Sequence, residues 1–371
     1  MSPRETNEAL DDQRKQAVAR KPRIEVRRFQ GTAKHAEQLA HMRVAHLTDL
    51  HFGRVTPMAV QRRAVELTNE AKPDLVVITG DFVCHSQLYL DQLVETLGAL
   101  QAPTIAVLGN HDYWSGAPEV ARALKKADVE VLRNQHTVIT LDHQRIQVVG
   151  LDDSYTGHCD REKALKGLRR DLPSLGLSHI AEEADALWHH GVPLVLAGHT
   201  HAGQVTLARL HELALGRIVG HKYVHGLYGK RAGAPLGAVY VGAGIGAAVM
   251  PLRIGERGRR ELAIFELGAD VHDFDEHHDE QVAHVGRKPS PELTQKRQDY
   301  VFKRELQREI REARKYLAEL KKQGRGLSSP PPPPSETDDL SSPPAPPEGL
   351  DDLATLDGPA RELPTFRDPE R

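Results

Sequence analysis

The chain has 371 residues, 39% of them hydrophobic, and its 49 basic and 52 acidic residues leave a formal net charge of −3. This length suits one large domain with appended segments, and the middle of the chain has the composition of an ordinary α/β protein. The near-neutral charge argues against a nucleic-acid partner, because no global basic field is present to attract one.

The first half of the ordered chain alternates strands with helices. Residues 1–21 are charged and aperiodic, and we expect a disordered lead-in there. The stretch "RIEVRRF" predicts an edge strand, "HMRVAHLTDL" a second strand ending at Asp49, and residues 57–71 a helix. The continuous apolar strand "PDLVVITGD", a helix over 88–100, the strand "TIAVLGN" and a helix over 118–127 follow. This alternation is typical of a sheet with helices packed on it.

The second half of the ordered chain also contains strands and helices, but it begins with a predicted β-hairpin. In "VEVLRNQHTVITLDHQRIQVVGLDD", two alternating runs flank residues 142–144, which predicts a β-hairpin. We predict helices from about Arg161 and over 180–190, the strand "VPLVLAGH", and short strands around Val205, Val224, Val239 and Leu262. The stretch "LGAVYVGAGIGAAVMPL" favours a buried strand and loop over an apolar groove. The whole predicts an α/β (α+β) fold of two mixed sheets with helices outside.

The C-terminal region differs in character. We expect a polar linker over 269–290 and an amphipathic helix over 291–324, with apolar residues at alternating spacings of four and three: Leu306, Ile310, Ala313, Leu317 and Leu320. Only about two heptads keep this spacing, so docking on the main domain is favoured over a coiled coil. We expect residues 325–371 to be a proline-rich, disordered tail that can bind protein partners in an extended conformation.

Metal-ligand residue types stand where five apolar segments end: Asp49 and His51, Asp81, Asn110 and His111, His179, and His199 and His201. Strand ends of this kind meet at one rim of a sheet, so we expect these side chains to converge. Mixed nitrogen and oxygen ligands without cysteine suit manganese, iron or zinc better than magnesium or calcium. Two such cations ~3.5–4 Å apart need a bridging carboxylate, and they ionise a water near neutral pH for attack on phosphorus. Asp81 is the natural bridge.

Each motif alone also has a simpler interpretation. A D-x-H pair is more often a polar strand end, and "GNHD" an ordinary turn, but their joint occurrence in order favours a dinuclear site. Cys84 is interpreted as a small core residue rather than a ligand, and Arg54 and Arg253 equally as solvated residues or phosphate contacts. Surface roles are favoured for His85, His136, His189 and His190, and a substrate contact is the minor interpretation for His158, His221 and His225.

The motifs "DLH", "GD", "GNHD" and "GHTHAGQ" stand in the order and rough spacing of the calcineurin-like metallophosphoesterases, which residues 42–267 resemble. With "GAGIGAAVMPLRIG", the chain is similar to the bacterial branch that includes phosphodiesterases and UDP-2,3-diacylglucosamine pyrophosphatases. The resemblance implies a four-layer αββα sandwich over residues 22–268. Ala202 stands where the family pattern has a second glycine.

The resemblance also implies roles for individual residues. One metal ion would be held by Asp49, His51, Asp81 and His201, and the other by Asp81, Asn110, His179 and His199. His111 would be the general acid or transition-state donor, with Asp112 as its orienting partner.

The function that follows is a dinuclear-metal phosphohydrolase, with two divalent transition-metal ions, manganese first, cleaving a phosphodiester or pyrophosphate bond through a metal-bridged hydroxide. UDP-2,3-diacylglucosamine of lipid A synthesis is one substrate, which would bring peripheral contact with the inner membrane. Two alternatives stay open: a cyclic-nucleotide or other small-nucleotide phosphodiesterase, and an inactive scaffold that acts through its C-terminal helix and tail. The complete ligand set argues against the scaffold. Only two cysteines and no apolar run of roughly 20 residues indicate a cytoplasmic protein.

Overall fold

The computed structural model describes residues 22–203, 220–233, 235–247, 259–271 and 281–322. The predicted lead-in, the proline-rich tail, the strand expected around Val205 and the residue Arg253 lie outside these ranges. The chain divides into two compact units, residues 1–307 and 308–371. The first unit contains both sheets and the strand-end residues singled out above.

The described strands follow one another along the first unit. In chain order they are β1 (Glu25–Gln30), β2 (Met42–Leu47), β3 (Leu75–Thr79), β4 (Thr104–Val107), β5 (Val129–Val131), β6 (Gln135–Leu141), β7 (Gln144–Gly150), β8 (Ser174–Leu177), β9 (Leu194–Ala197), β10 (Gly226–Lys230), β11 (Gly237–Val241) and β12 (Glu261–Leu267). The strand expected around Val224 begins two residues later, at Gly226.

These strands form two six-stranded sheets. The first has the order β1-β12-β2-β3-β4-β5, and it is parallel except where β12 meets β2. The second has the order β10-β11-β9-β8-β7-β6, with antiparallel pairs at both edges. The predicted edge strand is β1, and the predicted hairpin is β6 with β7, in which Leu141 pairs with Gln144. Both sheets are mixed, as predicted.

The described helices are α1 (Ala33–Gln38), α2 (Met58–Glu70), α3 (Leu90–Leu97), α4 (Asn110–Ser115), α5 (Ala117–Lys126), α6 (Arg161–Leu165), α7 (Ala184–His189) and α8 (Pro291–Lys322). Most begin and end within a few residues of the predicted bounds. The helices α1 and α4 were not predicted, since both are six residues long and too short to show a helical period. The "GNHD" residues, for which an ordinary turn was the simpler interpretation, form the start of α4.

Three apolar clusters define the layers. In β3, Val76 and Ile78 face α2, α3 and α5, whereas Leu75 and Val77 face the second sheet. A third cluster lies between the second sheet and the helices α6 and α7. This alternation gives helix, sheet, sheet and helix layers, so the predicted αββα sandwich is confirmed. The strand β11 is buried throughout, which agrees with a buried strand rather than an apolar groove.

The C-terminal helix α8 begins at the predicted Pro291 and is described to Lys322, and residues 323–324 of its predicted range lie outside the described residues. Val301 in its first half is 4% exposed and joins the apolar cluster on the outer face of the first sheet. In the second unit, Ile310 and Leu317 are exposed. Across the described ranges, no helix is apolar over a length that would cross a bilayer.

Candidate metal centre

The predicted ligands follow the carboxyl ends of five parallel strands, three in the first sheet and two in the second. Asp49 and His51 follow β2, Asp81 follows β3, Asn110 and His111 open α4 after β4, His179 follows β8, and His199 and His201 follow β9. Because both sheets end at the same rim, strands far apart in sequence bring these side chains together.

Four of these residues form a first group. The ligand atoms of Asp49, His51, Asp81 and His201 all lie within 4.8 Å of one another, and the four residues are buried. The Nε2 atoms of His51 and His201 are 2.9 Å apart. Nε2 of His201 lies 3.3 Å from Oδ1 of Asp49, and Nε2 of His51 lies 3.5 Å from Oδ2 of Asp81.

A second group forms on the other side of Asp81. Oδ1 of Asp81 lies 3.4 Å from Nε2 of His179. That nitrogen lies 3.1 Å from Oδ1 of Asn110 and 3.3 Å from Nδ1 of His199. Asp81 therefore turns one carboxylate oxygen toward each group, which is the geometry that a carboxylate bridging two cations requires.

Hydrogen bonds from neighbouring groups fix the orientation of these ligands. Nδ1 of His179 donates to the carbonyl oxygen of Thr79 at 2.8 Å, so Nε2 is directed at Asp81 and Asn110. Oδ2 of Asp49 accepts a hydrogen bond from Oγ1 of Thr48 at 2.8 Å. Hydrogen bonds of this kind hold the ring tautomer and the carboxylate angle that a metal ligand needs.

The backbone at the site is strained. Asp49, His51, Asp81, His199 and His201 have φ between +44° and +77°. Residues other than glycine rarely adopt this left-handed backbone conformation. Each one that does lowers the stability of the fold by about 1–3 kcal/mol. Ala202, where the family pattern has glycine, also has φ of +51°. Strain in five of the seven predicted ligands indicates a site that the fold holds against local preference.

Two glycines permit the close packing of the loops. A Cβ on Gly198 would lie 1.9 Å from Oγ1 of Thr48, and one on Gly109 would lie 2.3 Å from Oδ1 of Asp81. Side chains at either position would displace a carboxylate. These glycines are therefore required for the close approach of the loops.

Burial and the mutual charges of the ligands set the pKa values at the site. It raises the pKa of Asp49 to about 7, although the nearby His179 opposes it. For Asp81, burial acts in the same direction, but the charge of His179 and other imidazoles holds the pKa well below its usual range. Burial also lowers the pKa of His51 and of His199 well below 6.5. The rings of His51 and His199 are therefore neutral, as divalent cations require. In His179 burial is outweighed by the charge of Asp81, which raises the pKa well above 6.5, so a cation bound there displaces the proton of this ring. With that proton displaced, the donor set fits such ions.

His111 lies at the edge of the first group. Its ring stands edge-on to that of His51, with centroids 4.8 Å apart, and its Nε2 lies 3.9 Å from Oδ2 of Asp81. The side chain is 6% exposed. Nδ1 of His111 has no hydrogen-bond partner among the described residues.

Asp112 is placed differently from the prediction that it orients His111. Its Oδ1 accepts hydrogen bonds from the backbone N–H groups of Phe82 and Val83 at 2.8 and 3.2 Å, and its Oδ2 accepts from that of Gly109 at 2.9 Å. The carboxylate thus caps α4 and ties it to the loop after β3. It positions the residues around the site through the backbone.

Aromatic side chains near the site were missed by sequence reasoning. His85 is exposed, as predicted, but its ring lies 4.5 Å from His111 and parallel to Trp114. The ring of Tyr155 lies 5.3 Å from that of His199. A signal for Tyr155 was present, since Asp153 follows β7 as the predicted ligands follow their strands, and its carboxylate accepts from the backbone N–H of Tyr155.

The three histidines given a minor chance of substrate contact lie in different settings. The ring of His221 is 5.3 Å from His199. His158 stacks on Tyr113, with ring centroids 3.9 Å apart. His225 is buried, and its Nε2 lies 3.2 Å from a carboxylate oxygen of Glu261, within the protein interior. Of these, His221 is adjacent to a predicted ligand.

Cys84, which was interpreted as a small core residue, lies beside two histidines of the site. Its Sγ and one nitrogen each of His51 and His111 lie within 4.8 Å of one another. Burial, aided by the charge of Asp81, raises the pKa of Cys84 to about 11. The thiol is therefore protonated near neutral pH, whereas metal ligation requires the thiolate.

Comparison with known proteins gives a consistent result. Residues 42–203 match the family described as calcineurin-like phosphoesterase. The phosphodiesterase YaeI of Escherichia coli is 31% identical over 239 residues, which cover 62% of this chain and 84% of that protein. An uncharacterized metallophosphoesterase of Bacillus subtilis, YkuE, is 29% identical over 231 residues, covering 61% and 78%. The UDP-2,3-diacylglucosamine pyrophosphatase LpxG of Chlamydia trachomatis is 24% identical over 225 residues, covering 46% and 68%.

Proposed function

The chain belongs to the calcineurin-like phosphoesterase family, and on this premise we propose that it hydrolyses a phosphodiester or pyrophosphate bond with two divalent metal ions. One observation carries the proposal. Asp81 turns Oδ2 toward His51 and Oδ1 toward His179, so a single carboxylate joins two groups of ligands.

Imidazole nitrogens, carboxylates and one amide oxygen make up the donor set. Such a set favours manganese, iron or zinc, and we take manganese as the first ion to test. Two cations held there supply an ionised water near neutral pH and neutralise charge on the phosphate. We assign one ion to Asp49, His51, Asp81 and His201, and the other to Asp81, Asn110, His179 and His199.

His111 is the proposed proton donor to the leaving oxygen. Burial lowers its pKa well below 6.5, although Asp81 opposes this effect. A phosphate anion brought beside the ring raises its proton affinity. Substrate binding therefore favours the protonated ring at the moment when the leaving oxygen requires a proton.

The finer proposal concerns the substrate. LpxG is a UDP-2,3-diacylglucosamine pyrophosphatase, and its similarity supports a nucleotide-linked pyrophosphate as the bond that is cleaved. In this reading the protein acts on a lipid-linked substrate and contacts the inner membrane from the cytoplasm.

The test is turnover of bis(p-nitrophenyl) phosphate by the full chain. We expect turnover with Mn²⁺, its loss with EDTA and its return when Mn²⁺ is restored. Product analysis with UDP-2,3-diacylglucosamine then addresses the substrate, for which we expect release of UMP. Absence of turnover with Mn²⁺, Fe²⁺ and Zn²⁺ would favour the inactive scaffold, and turnover of cyclic nucleotides alone would favour the nucleotide phosphodiesterase.

A further inference from the structure

The first half of α8, residues 291–307, forms part of the wall beside the metal centre. Val301 is buried in the apolar cluster that includes residues of β2 and β3. The ring of Tyr300 meets that of Trp114 edge-on, with centroids 5.9 Å apart, and Nε of Arg304 donates to the carbonyl oxygen of Trp114 at 3.4 Å. These contacts fix this segment against α4, the helix that carries His111.

Arg297 projects from this segment onto an aromatic ring at the site. Its guanidinium carbon lies 3.5 Å from the centroid of the Tyr155 ring. Tyr155 is 6% exposed, and its ring lies 5.3 Å from that of His199. The positive charge of Arg297 is therefore one aromatic ring away from a proposed metal ligand.

No carboxylate of the described residues lies within ion-pair distance of Arg297, in contrast to Arg133 and Arg161, which pair with Asp152 and Glu183. The buried Nε of Arg297 has no hydrogen-bond partner there either. The face of Tyr155 stabilises the cation but does not accept the in-plane N–H groups of the guanidinium. A buried donor without an acceptor is destabilising, so the geometry calls for an anion.

We propose that Arg297 binds a second anionic group of the substrate, next to the phosphorus that is attacked. The inference rests on the proposed function and narrows its substrate class to pyrophosphate diesters. In such a substrate the second phosphate shares an oxygen with the first. The other oxygens of the second phosphate therefore extend from the metal centre toward residues that surround it, among them the first half of α8. The paired N–H donors of arginine match the oxygens of a phosphate.

The experiment compares ligands with one and with two phosphates on the full Mn²⁺-loaded chain. Calorimetry measures the Kd of UDP-glucose, and turnover measures kcat/KM for bis(p-nitrophenyl) phosphate, which has no second anion. We expect Arg297→Ala to weaken UDP-glucose binding about tenfold, the size of one charge-assisted contact. Its kcat/KM for bis(p-nitrophenyl) phosphate should change less than about threefold, since the metal ligands are intact.

Two further variants separate recognition from packing. Arg297→Lys keeps the charge but loses the paired donors, so its Kd should lie between those of the wild type and Arg297→Ala. Lys296→Ala removes an exposed charge from the neighbouring position and should leave both measurements unchanged. An equal loss for both ligands in Arg297→Ala, or no binding of UDP-glucose by the wild type, would overturn the inference. Because calorimetry does not depend on turnover, a failure of the proposed phosphoesterase activity is seen separately.

Discussion

Buried histidines occur both at the metal centre and between α1 and β8, and they are bonded differently. In His35, a residue of α1 whose ring contacts β8, Nε2 donates to the carbonyl oxygen of Ser174 at 3.0 Å and Nδ1 accepts from the N–H of Thr32 at 3.2 Å. At the metal centre, Nε2 of His51 faces Nε2 of His201 at 2.9 Å. Nδ1 of His51 has no partner among the described residues.

The difference shows what separates a structural histidine from a metal ligand. A neutral imidazole has one donor and one acceptor. The fold uses both in His35, whereas Nε2 of His51 faces Nε2 of His201, and a cation placed between the two nitrogens could bind both. Burial alone does not distinguish the two regions, since His35 and His51 are both fully buried. The comparison predicts that substitutions at the metal centre lower catalytic activity, whereas substitutions of His35 lower the free energy of unfolding.

The largest effect is expected for Asp81→Asn. Loss of the carboxylate that joins the two ligand groups should reduce bound metal and lower kcat/KM about 10⁴-fold, because cation and bridge each contribute several kcal/mol. Circular dichroism should be unchanged. Asp91→Asn, an exposed position in the first turn of α3, is the matched control. Wild-type metal content and turnover in Asp81→Asn would contradict the assigned bridge.

The next effect concerns His111, which contacts the centre but is not assigned to a metal ion. We expect His111→Ala to keep its metal content, measured by elemental analysis, and to lose about 10²–10³-fold in kcat, the usual contribution of a general acid. His136→Ala, a change in the second sheet, should alter neither quantity. Loss of metal from His111→Ala would instead make this ring a ligand.

The contribution of His35 to the free energy of unfolding should depend on pH. Burial lowers the pKa of His35 to about 4, while the unfolded chain has the ordinary value near 6.5. Between these values the unfolded state binds more protons, so the stability that neutral His35 contributes is complete above about pH 6.5. It is lost as the pH falls toward 4, by up to ~3 kcal/mol.

Urea unfolding of the wild type and of His35→Gln across this range measures the contribution. Glutamine does not titrate, so the free-energy difference between the two proteins should shrink as the pH falls from 6.5 to 4. His46, whose pKa burial lowers to about 3, titrates in both proteins and cancels from the difference. A difference that is constant with pH would mean that His35 is not the titrating group. The Mn²⁺-dependent kcat/KM of His35→Gln should equal that of the wild type.

Much of this architecture could be predicted from sequence, because strand and helix periods are local signals. The residues Asp49, Asp81 and His199 were found because each stands directly after an apolar strand. The bonding of Asp112 to three backbone N–H groups could not be foreseen, since it depends on how the loops after β3 and β4 meet. The contact of Arg297 with Tyr155 joins positions 142 residues apart, from 155 to 297, with no motif to connect them.

The smallest effect is expected at Cys84, which has features of both a structural residue and a metal ligand. Its Sγ lies near nitrogens of His51 and His111, but its raised pKa keeps the thiol protonated near neutral pH. The other ligands already supply both groups around Asp81. We therefore expect Cys84→Ala to retain its metal content and to change kcat/KM less than about threefold, as for a small packing residue. Cys159→Ala, a half-buried cysteine beside Glu183, is the control. A loss of metal in Cys84→Ala alone would show that a cation deprotonates this thiol, because metal binding can drive off a proton that burial retains.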